Sequence, residues 1–275
     1  MATTLDAQLA GIQKRLAAQN KTVNTNADCV EERDLADNTV TRSNALARAY
    51  YRFTIPEKRI MEALISRLHP QRTDNDLQHI KLLATDYAKT YSTENAYRDL
   101  STAAQGLMRK VITTTEGINV IESSLMAQAV YTKTEGTITC TFNPLIVHHL
   151  IGMKAKFSSY PLNKVINFSS SYTWRLYELL VSWAQPKINT GGVFCGWFDV
   201  DVDELRKMLG VPASYNQGRF KKSVLEHVTN ELLHKAEIRL QLTPKKTGRK
   251  ITSYSIKFAE NDQQQIPLNG GKKGK

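Results

Sequence analysis

Three basic residues lie near the start of one helical stretch, residues 215–236: Arg219, Lys221 and Lys222. The first N–H groups of a helix have no partners within the helix, and the helix dipole makes that end positive, so acidic residues are favoured there. Basic residues at this end therefore cost an isolated helix roughly a few tenths of a kcal/mol. We interpret them as groups that bind a polyanion, since arginine and lysine side chains both donate charged hydrogen bonds to phosphates. A solvated basic face is the alternative.

The same stretch has the pattern of an amphipathic helix. Its apolar residues recur at every fourth position: Phe220, Val224, Val228, Leu232 and Ala236. This spacing places them on one buried face, and it places Arg219 and Lys222 on the opposite, exposed face.

The charge of the whole chain is basic and uneven. The 275 residues carry a net charge of +11, and residues 211–257 hold ten Lys or Arg against three acidic residues. Such a surplus is typical of proteins that bind nucleic acid. With 41 % hydrophobic residues, the chain can form one large or two ordinary domains.

Elements around the basic helix predict a winged helix. DVDELRKMLG predicts a short helix over residues 200–209 with Gly210 as the stop, and Val211 to Ser214 predict a turn, so the basic helix is the second helix of a helix-turn-helix. AEIRLQLT and ITSYSIKF then flank PKKTGRK, which predicts a β-hairpin. The tip of this wing carries four basic residues, Lys245, Lys246, Arg249 and Lys250.

The same order of elements occurs earlier in the chain. SNALARAYYRF and PEKRIMEALISRL predict two helices, and residues 80–83 predict a short strand. DYAKTY predicts a short helix, and a longer helix capped by Ser92 or Thr93 follows it. INVIESSLMAQAVYTK and TITCTF then predict a hairpin around residues 134–136. We predict a mostly helical α+β fold with two tandem winged-helix domains.

The domain boundaries are expected as follows. Residues 1–37 form a flexible N-terminal arm, residues 38–150 the first winged-helix domain, residues 151–260 the second, and residues 261–275 a basic disordered tail. NPLIVHHLIGM, residues 143–153, predicts a helix that connects the two domains.

The first unit is less basic than the second. Its long helix has Asn95, Arg98 and Arg109 on the polar face, and its wing tip at residues 132–136 is nearly neutral. Weak DNA contact and contact with a protein both fit this pattern. Its apolar hairpin residues predict core, but a strand at 125–131 that forms a sheet edge would instead pair with a second copy, through Met126 and Val130.

We find no pattern that indicates catalysis, and we expect no metal and no cofactor. The six histidines include no His-x-His pair, and the glycines near the C-terminus lack the spacing of a phosphate-binding loop. The acidic residues Asp199, Asp201, Asp203 and Glu204 fit a helix start. Three widely spaced cysteines and the lack of a long apolar run predict a protein of the cytoplasm without a membrane segment.

Residues 38–258 resemble the plasmid replication initiators of the iteron-binding Rep type. The resemblance lies in IPEKRIMEALISRL, ATDYAKTY followed by NAYRDLSTAAQGLM, FNPLIVHHL, FSSYPLNKVINFSSSYTWRLYELL, DVDELRKMLG and YNQGRFKKSVLEHVTNELL. It implies that a monomer binds directly repeated origin sites, the iterons, and that a dimer represses its own gene at an inverted-repeat operator. It also implies contacts with the host initiator and the replicative helicase.

The resemblance also implies roles for individual residues. Tyr215, Asn216, Gln217, Arg219, Lys221 and Lys222 would lie on the main DNA-binding helix, and Asn95, Arg98 and Arg109 on its equivalent in the first domain. Family members often have an acidic residue before the Phe, whereas this chain has Asn216-Gln217-Gly218-Arg219. The DNA sequence recognised is therefore expected to be its own. A winged-helix repressor without initiator activity, or a protein-interaction scaffold, are the alternatives.

Overall fold

The computed structural model describes residues 34–68, 79–184 and 194–260. The predicted N-terminal arm up to residue 33 and the predicted tail at 261–275 lie outside the described residues.

The first half of the chain contains five helices and six strands within the described residues. In chain order they are β1 (Thr39–Ser43), α1 (Asn44–Arg48), α2 (Ile55–Ser66), β2 (His79–Leu83), α3 (Ala84–Tyr91), α4 (Ala96–Met108), β3 (Val111–Glu116), β4 (Asn119–Ser124), β5 (Met126–Thr132), β6 (Thr137–Phe142) and α5 (Pro144–Val147). Short 3-10 turns occur at Leu35–Asp37 and Lys133–Glu135.

The second half continues with β7 (Phe157–Pro161), a 3-10 turn at Leu162–Lys164, α6 (Ser171–Trp183), β8 (Cys195–Asp201) and α7 (Val202–Leu209). Helix α8 spans residues 217–236 in three consecutive segments, Gln217–Arg219, Phe220–Glu226 and His227–Ala236, and its middle segment is a π-helix. The wing strands β9 (Ile238–Thr247) and β10 (Lys250–Glu260) follow.

Two sheets have the same topology, which confirms the two winged-helix units. In the first, the strand order is β2-β6-β5, and in the second it is β8-β10-β9. In each unit a strand precedes the two helices of a helix-turn-helix, and the two strands of the wing follow them. Because a winged helix is defined by this order, the repeat predicted from the sequence of elements is present in three dimensions.

The main helix boundaries follow from their end residues. Thr54 accepts a hydrogen bond from the backbone N–H of Glu57, whose side chain accepts one from the N–H of Thr54, and this capping box starts α2 with Pro56 in its first turn. Helix α7 ends at Gly210, whose φ of +67° favours glycine, and its first turn contains Asp203 and Glu204 as predicted.

Three helical predictions were wrong in extent. The first helix was expected over residues 43–53, but α1 ends at Arg48, because Tyr50 exchanges two backbone hydrogen bonds with Thr113 of β3. Helix α4 was expected to be capped by Ser92 or Thr93, but its N-cap is Asn95. The connecting helix predicted over residues 143–153 is reduced to the single turn α5.

The prediction of one continuous strand before the first wing was also wrong. The stretch 118–133 divides into β4 and β5, and β4 pairs with β3 in a separate hairpin inserted between α4 and the wing. Because this hairpin lies outside the three-stranded sheet, Val120 and Ile121 are exposed and are not the core residues expected. Leu125 and Met126 are buried, as expected for core.

The two halves share one hydrophobic core in the described residues. Strand β1 pairs with β7 across the predicted boundary near residue 150, and α6 packs against α1 on one side and against α8 on the other. Helix α6 buries Trp174, Leu176 and Leu180 almost completely. The boundary at residue 150 remains a prediction.

A buried ion cluster reinforces this junction. It consists of Arg42, Lys58, Glu62, Arg175 and Glu178, and all five side chains are at most 2 % exposed. Glu178 accepts hydrogen bonds of 2.5 Å from each of Arg42, Lys58 and Arg175. Burial alone would raise the pKa of Glu178, but the three positive charges outweigh it and hold that pKa well below its ordinary value.

Within the described residues, no helix is both long enough and apolar enough to span a membrane.

Candidate nucleic-acid interface

The start of α8 is fixed by its own side chains. Asn216 caps the helix, because its Oδ1 accepts a hydrogen bond of 2.8 Å from the backbone N–H of Arg219. The Arg219 guanidinium lies 3.9 Å from the centre of the Tyr215 ring, and Gln217 donates a hydrogen bond of 3.3 Å to the hydroxyl of Tyr254 on β10. The half-buried Tyr215 therefore orients the exposed Arg219 at the helix end.

Helix α7 contacts the start of α8 through Arg206. Arg206 donates a hydrogen bond of 2.6 Å to the carbonyl oxygen of Tyr215, and its guanidinium lies 4.7 Å from the centre of the Phe220 ring. Phe220 is fully buried. The turn before α8 is consequently held to the preceding helix by both a hydrogen bond and packing.

The two faces of α8 divide as its pattern predicted. Phe220, Val224, Val228 and Leu232 have no exposed surface, and Ala236 is 4 % exposed. Lys221 and Lys222 are exposed, as Arg219 is, so the first turns present basic groups outward. The π-helical segment was not predicted. It spans Phe220–Glu226, has i→i+5 hydrogen bonds, and includes both lysines.

The second wing places its basic residues beyond the body of the domain. Strands β9 and β10 turn at Gly248, whose φ of +62° favours glycine, so Lys246, Arg249 and Lys250 lie exposed at the tip. Lys245 differs, because its ammonium forms an ion pair of 2.6 Å with Asp199 on β8. Hydrogen bonds from Lys245 and Ser255 lower the pKa of Asp199.

Helix and wing face one open cleft of about 910 Å³. It is lined by Gln217 from α8, by Arg249 and Lys250 from the wing, and by Asp201 and Glu204 at the start of α7. Three of the sequence-predicted residues of the second unit thus line a single concavity, with acidic side chains on one rim, whereas Arg219, Lys221 and Lys222 are exposed outside its lining.

The first unit does not bring its predicted residues together. Asn95 and Arg98 lie at the start of α4 and Arg109 lies just after its end, about 20 Å away at 1.5 Å per residue. Arg98 is exposed, 4.0 Å from Asp99. At the tip of the first wing, Glu135 forms an ion pair of 3.0 Å with Lys81 of β2, so the tip presents little net charge.

The described residues contain no group of three or more His, Cys, Asp or Glu side chains that could hold a metal ion. The acidic residues Asp201, Asp203 and Glu204 lie at the start of α7 instead, where the helix dipole favours them.

Comparison with known proteins identifies the family. The sequence profile described as "Initiator Replication protein, WH1" matches residues 39–181, and the profile described as "Initiator Rep protein, WH2" matches residues 201–258. The chain belongs to this family of replication initiators.

Two known proteins extend the comparison. A replication initiation protein of Escherichia coli is 23 % identical over 255 residues, which cover 86 % of this chain and 78 % of that protein. The Pi initiator protein, whose crystal structure is a complex with iteron DNA, shares the fold with a TM-score of 0.66 and 22 % identity, over 83 % of this chain and 99 % of that one. The predicted resemblance to replication initiators is confirmed.

Sequence reasoning missed two residues that lie beside the helix start of this initiator. Tyr172 of α6 lies close to Tyr215 and Arg219, and Arg52 of the loop between α1 and α2 lies close to Tyr172 and to Gly210. Tyr172 is half-buried and Arg52 is exposed. Neither belongs to a local basic run, so the linear sequence carried no signal for them.

Proposed function

We propose that this initiator binds double-stranded DNA in a sequence-specific manner and starts plasmid replication at directly repeated origin sites. The observation that carries the proposal is that the start of α8 and the wing tip both expose basic residues, with Gln217 of α8 and Arg249 and Lys250 of the wing lining one cleft between them. Family membership supports it, as does the fold shared with the Pi initiator, whose structure contains iteron DNA.

Each basic element has a distinct role in this proposal. Recognition helices of helix-turn-helix proteins enter the major groove and contact base edges with their N-terminal residues. Arg219 suits a base contact, since a guanidinium oriented by a tyrosine ring can donate two hydrogen bonds to one guanine. Lys221, Lys222 and the wing-tip residues suit phosphates, which position the protein without reading sequence.

The first unit makes a smaller DNA contact in the monomer. Arg98 at the exposed start of α4 contacts the DNA backbone, and Asn95 lies beside it. Arg109 lies too far along the helix to join the same contact. A bound monomer therefore uses both units on one repeat, with most of the sequence readout in the second.

The proposal includes steps after binding. The bound initiator helps to open the origin and recruits the host initiator and the replicative helicase, and it acts in the bacterial cytoplasm, where plasmid DNA lies. The competing function is a repressor with the same fold and the same DNA contacts. Strand opening next to the repeats separates the two, because a repressor has no need to melt its operator.

A dimer of this initiator represses its own gene in the same proposal, and strand β5 is its contact. Within the described sheet, β5 pairs only with β6, so its other edge is free to pair with a second copy. Val130 is 45 % exposed on this strand, whereas Met126 is 3 % exposed and belongs to the core. A symmetric dimer would bind an inverted repeat, since the symmetry of the protein is reflected in its site.

We expect Val130→Glu to reduce the dimer fraction and to leave direct-repeat binding intact or improved. Two glutamates brought together at an antiparallel strand pair repel each other, and their desolvation opposes pairing. Sedimentation velocity measures the dimer fraction. Val130→Thr, which keeps the shape without the charge, is the matched control. A folded Val130→Glu variant with the dimer content of the wild type would remove β5 from the interface.

A further inference from the structure

The loop between α1 and α2, residues 49–54, is held rigidly against the second helix-turn-helix. Arg175 of α6 donates hydrogen bonds to the carbonyl oxygens of Ala49 (2.9 Å) on one side and Met208 (3.1 Å) on the other. One guanidinium therefore ties this loop to the end of α7. Burial of Arg175, which is 2 % exposed, keeps water from competing for these bonds.

Both neighbours of Arg52 are anchored. The hydroxyl of Tyr51 accepts a hydrogen bond of 2.5 Å from Arg175 and donates one of 3.0 Å to Glu178, and the rings of Tyr51 and Phe53 lie 4.6 Å apart in the core. Tyr51 and Phe53 are buried, so the chain must direct the intervening Arg52 outward.

The backbone at Arg52 touches the turn that precedes α8. A methyl group added at Gly210 would lie 2.9 Å from the carbonyl oxygen of Tyr51 and 3.1 Å from the Cβ of Arg52. The close approach places Arg52, a residue of the first half of the chain, beside the end of α7 and the turn that leads to the recognition helix of the second.

Arg52 and Arg219 both lie near Tyr172 of α6. Burial raises the pKa of Tyr172, its neighbour Tyr215 raises it further, and the positive charges of Arg52 and Arg219 oppose this rise. Among the described residues, neither Arg52 nor Arg219 forms an ion pair. Both guanidinium groups are exposed, so each can bind an anion at this surface.

We infer that Arg52 is a DNA-binding residue that contacts a backbone phosphate next to the base pairs read by α8. This inference rests on the proposed function, because it assigns a further contact to the same DNA site. It makes the DNA surface of the second helix-turn-helix composite, with one contact supplied by the loop of the first unit. The cluster around Glu178 and Arg175 then serves to position that contact.

The test uses the full chain and a duplex site selected from a random DNA pool. Affinity is measured by fluorescence anisotropy at several salt concentrations for Arg52→Ala, Arg52→Lys and Arg219→Ala. Arg239→Ala is the matched control, since Arg239 is exposed at the base of β9, at the opposite end of that strand from the wing tip. Thermal unfolding checks that each variant is folded.

We expect Arg52→Ala to weaken binding roughly three- to tenfold and to make the slope of log K against log salt shallower by about 1, to the same extent on specific and scrambled DNA. Arg52→Lys keeps the charge and the slope. Arg239→Ala changes neither. A single neutral methylphosphonate linkage at the contacted phosphate weakens the wild type and has no further effect on Arg52→Ala.

Two outcomes are distinguishable. If Arg219→Ala weakens binding while Arg52→Ala keeps the affinity and salt slope of the wild type, the inference is wrong and the proposed function stands. If Arg219→Ala and Arg52→Ala both bind as the wild type does, the proposed DNA site itself is wrong. A methylphosphonate scan in which every position weakens Arg52→Ala as much as the wild type also overturns the inference.

Discussion

Arg219→Ala is expected to lose about 1–3 kcal/mol of binding free energy for the selected DNA site, which is roughly a 5- to 150-fold weaker Kd. Arg219 is exposed at the start of α8, its guanidinium is stacked on Tyr215, and Asn216 caps the turn that carries it. The side chain is thus oriented before DNA arrives, which reduces the entropy lost on binding. Discrimination at one or two base pairs should relax at the same time.

Arg219→Lys distinguishes a base contact from a phosphate contact. Lysine keeps the charge but cannot donate the paired hydrogen bonds of a guanidinium, so it should retain affinity for scrambled DNA and lose sequence discrimination. Electrophoretic mobility shifts on the selected site and on single-base variants measure both quantities. An Arg219→Ala variant that binds the selected site as tightly as the wild type at moderate salt would contradict the assignment of α8.

Glu178→Gln is expected to destabilise the fold by about 3–5 kcal/mol, the cost typical of removing one partner from a buried ion pair. Glu178 accepts charged hydrogen bonds from Arg42, Lys58 and Arg175, and after the substitution only Glu62 would balance these three buried cations. The effect should be large because the side chains of the cluster are at most 2 % exposed, so bulk solvent cannot stabilise the remaining charges.

Urea unfolding measures this loss, and Glu226→Gln on the exposed face of α8 is the control with the same chemical change. The pH dependence provides a second measurement. Because the pKa of Glu178 is lowered in the folded state, its contribution is fully present above the unfolded pKa of about 4.5 and decreases as the pH falls below it. The variant should therefore lose less stability than the wild type on acidification. Equal stability of Glu178→Gln and wild type at pH 7 would contradict the role assigned to the cluster.

The sequence predicted the elements that carry their own periodic pattern. The stripe from Phe220 to Ala236 specified the length and the buried face of α8 because every fourth residue contributes to one face, whatever the helix packs against. The order of helix-turn-helix and wing was likewise evident from local signals. Glycines at residues 136 and 248 marked the wing turns, where φ is positive.

Elements that depend on distant partners were not predicted. Helix α1 is short because Tyr50 pairs with Thr113, a residue more than sixty positions away, and propensity at residues 49–53 cannot register that pairing. The hairpin of β3 and β4 was not predicted, because β3 was not expected as a strand and β4 was expected as the start of one long strand. Its signal was available in the β-branched run from Val111 to Thr115 and in the turn at Gly117.

The residues of the candidate site also divide into those that local sequence predicted and those that depend on distant partners. Its basic residues on α8 and on the wing are contiguous in sequence, so charge and spacing were enough to find them. Lys245 was included with the wing tip, but its ion pair with Asp199 links strands 46 positions apart and could not be foreseen. Arg52 became a candidate only when the fold placed its loop beside Gly210.

Permanganate reactivity of thymines tests the central claim, origin-specific initiation, most directly. The substrate is a negatively supercoiled plasmid that carries direct repeats of the selected site next to an A·T-rich segment, with the repeats scrambled in a control plasmid. The proposed function predicts reactive thymines in the A·T-rich segment only when the wild-type protein and intact repeats are both present, and fewer of them with Arg219→Ala. If the protein saturates the repeats and no thymine becomes reactive, even with the host initiator added, the result contradicts initiation. The repressor function would then be the one that remains.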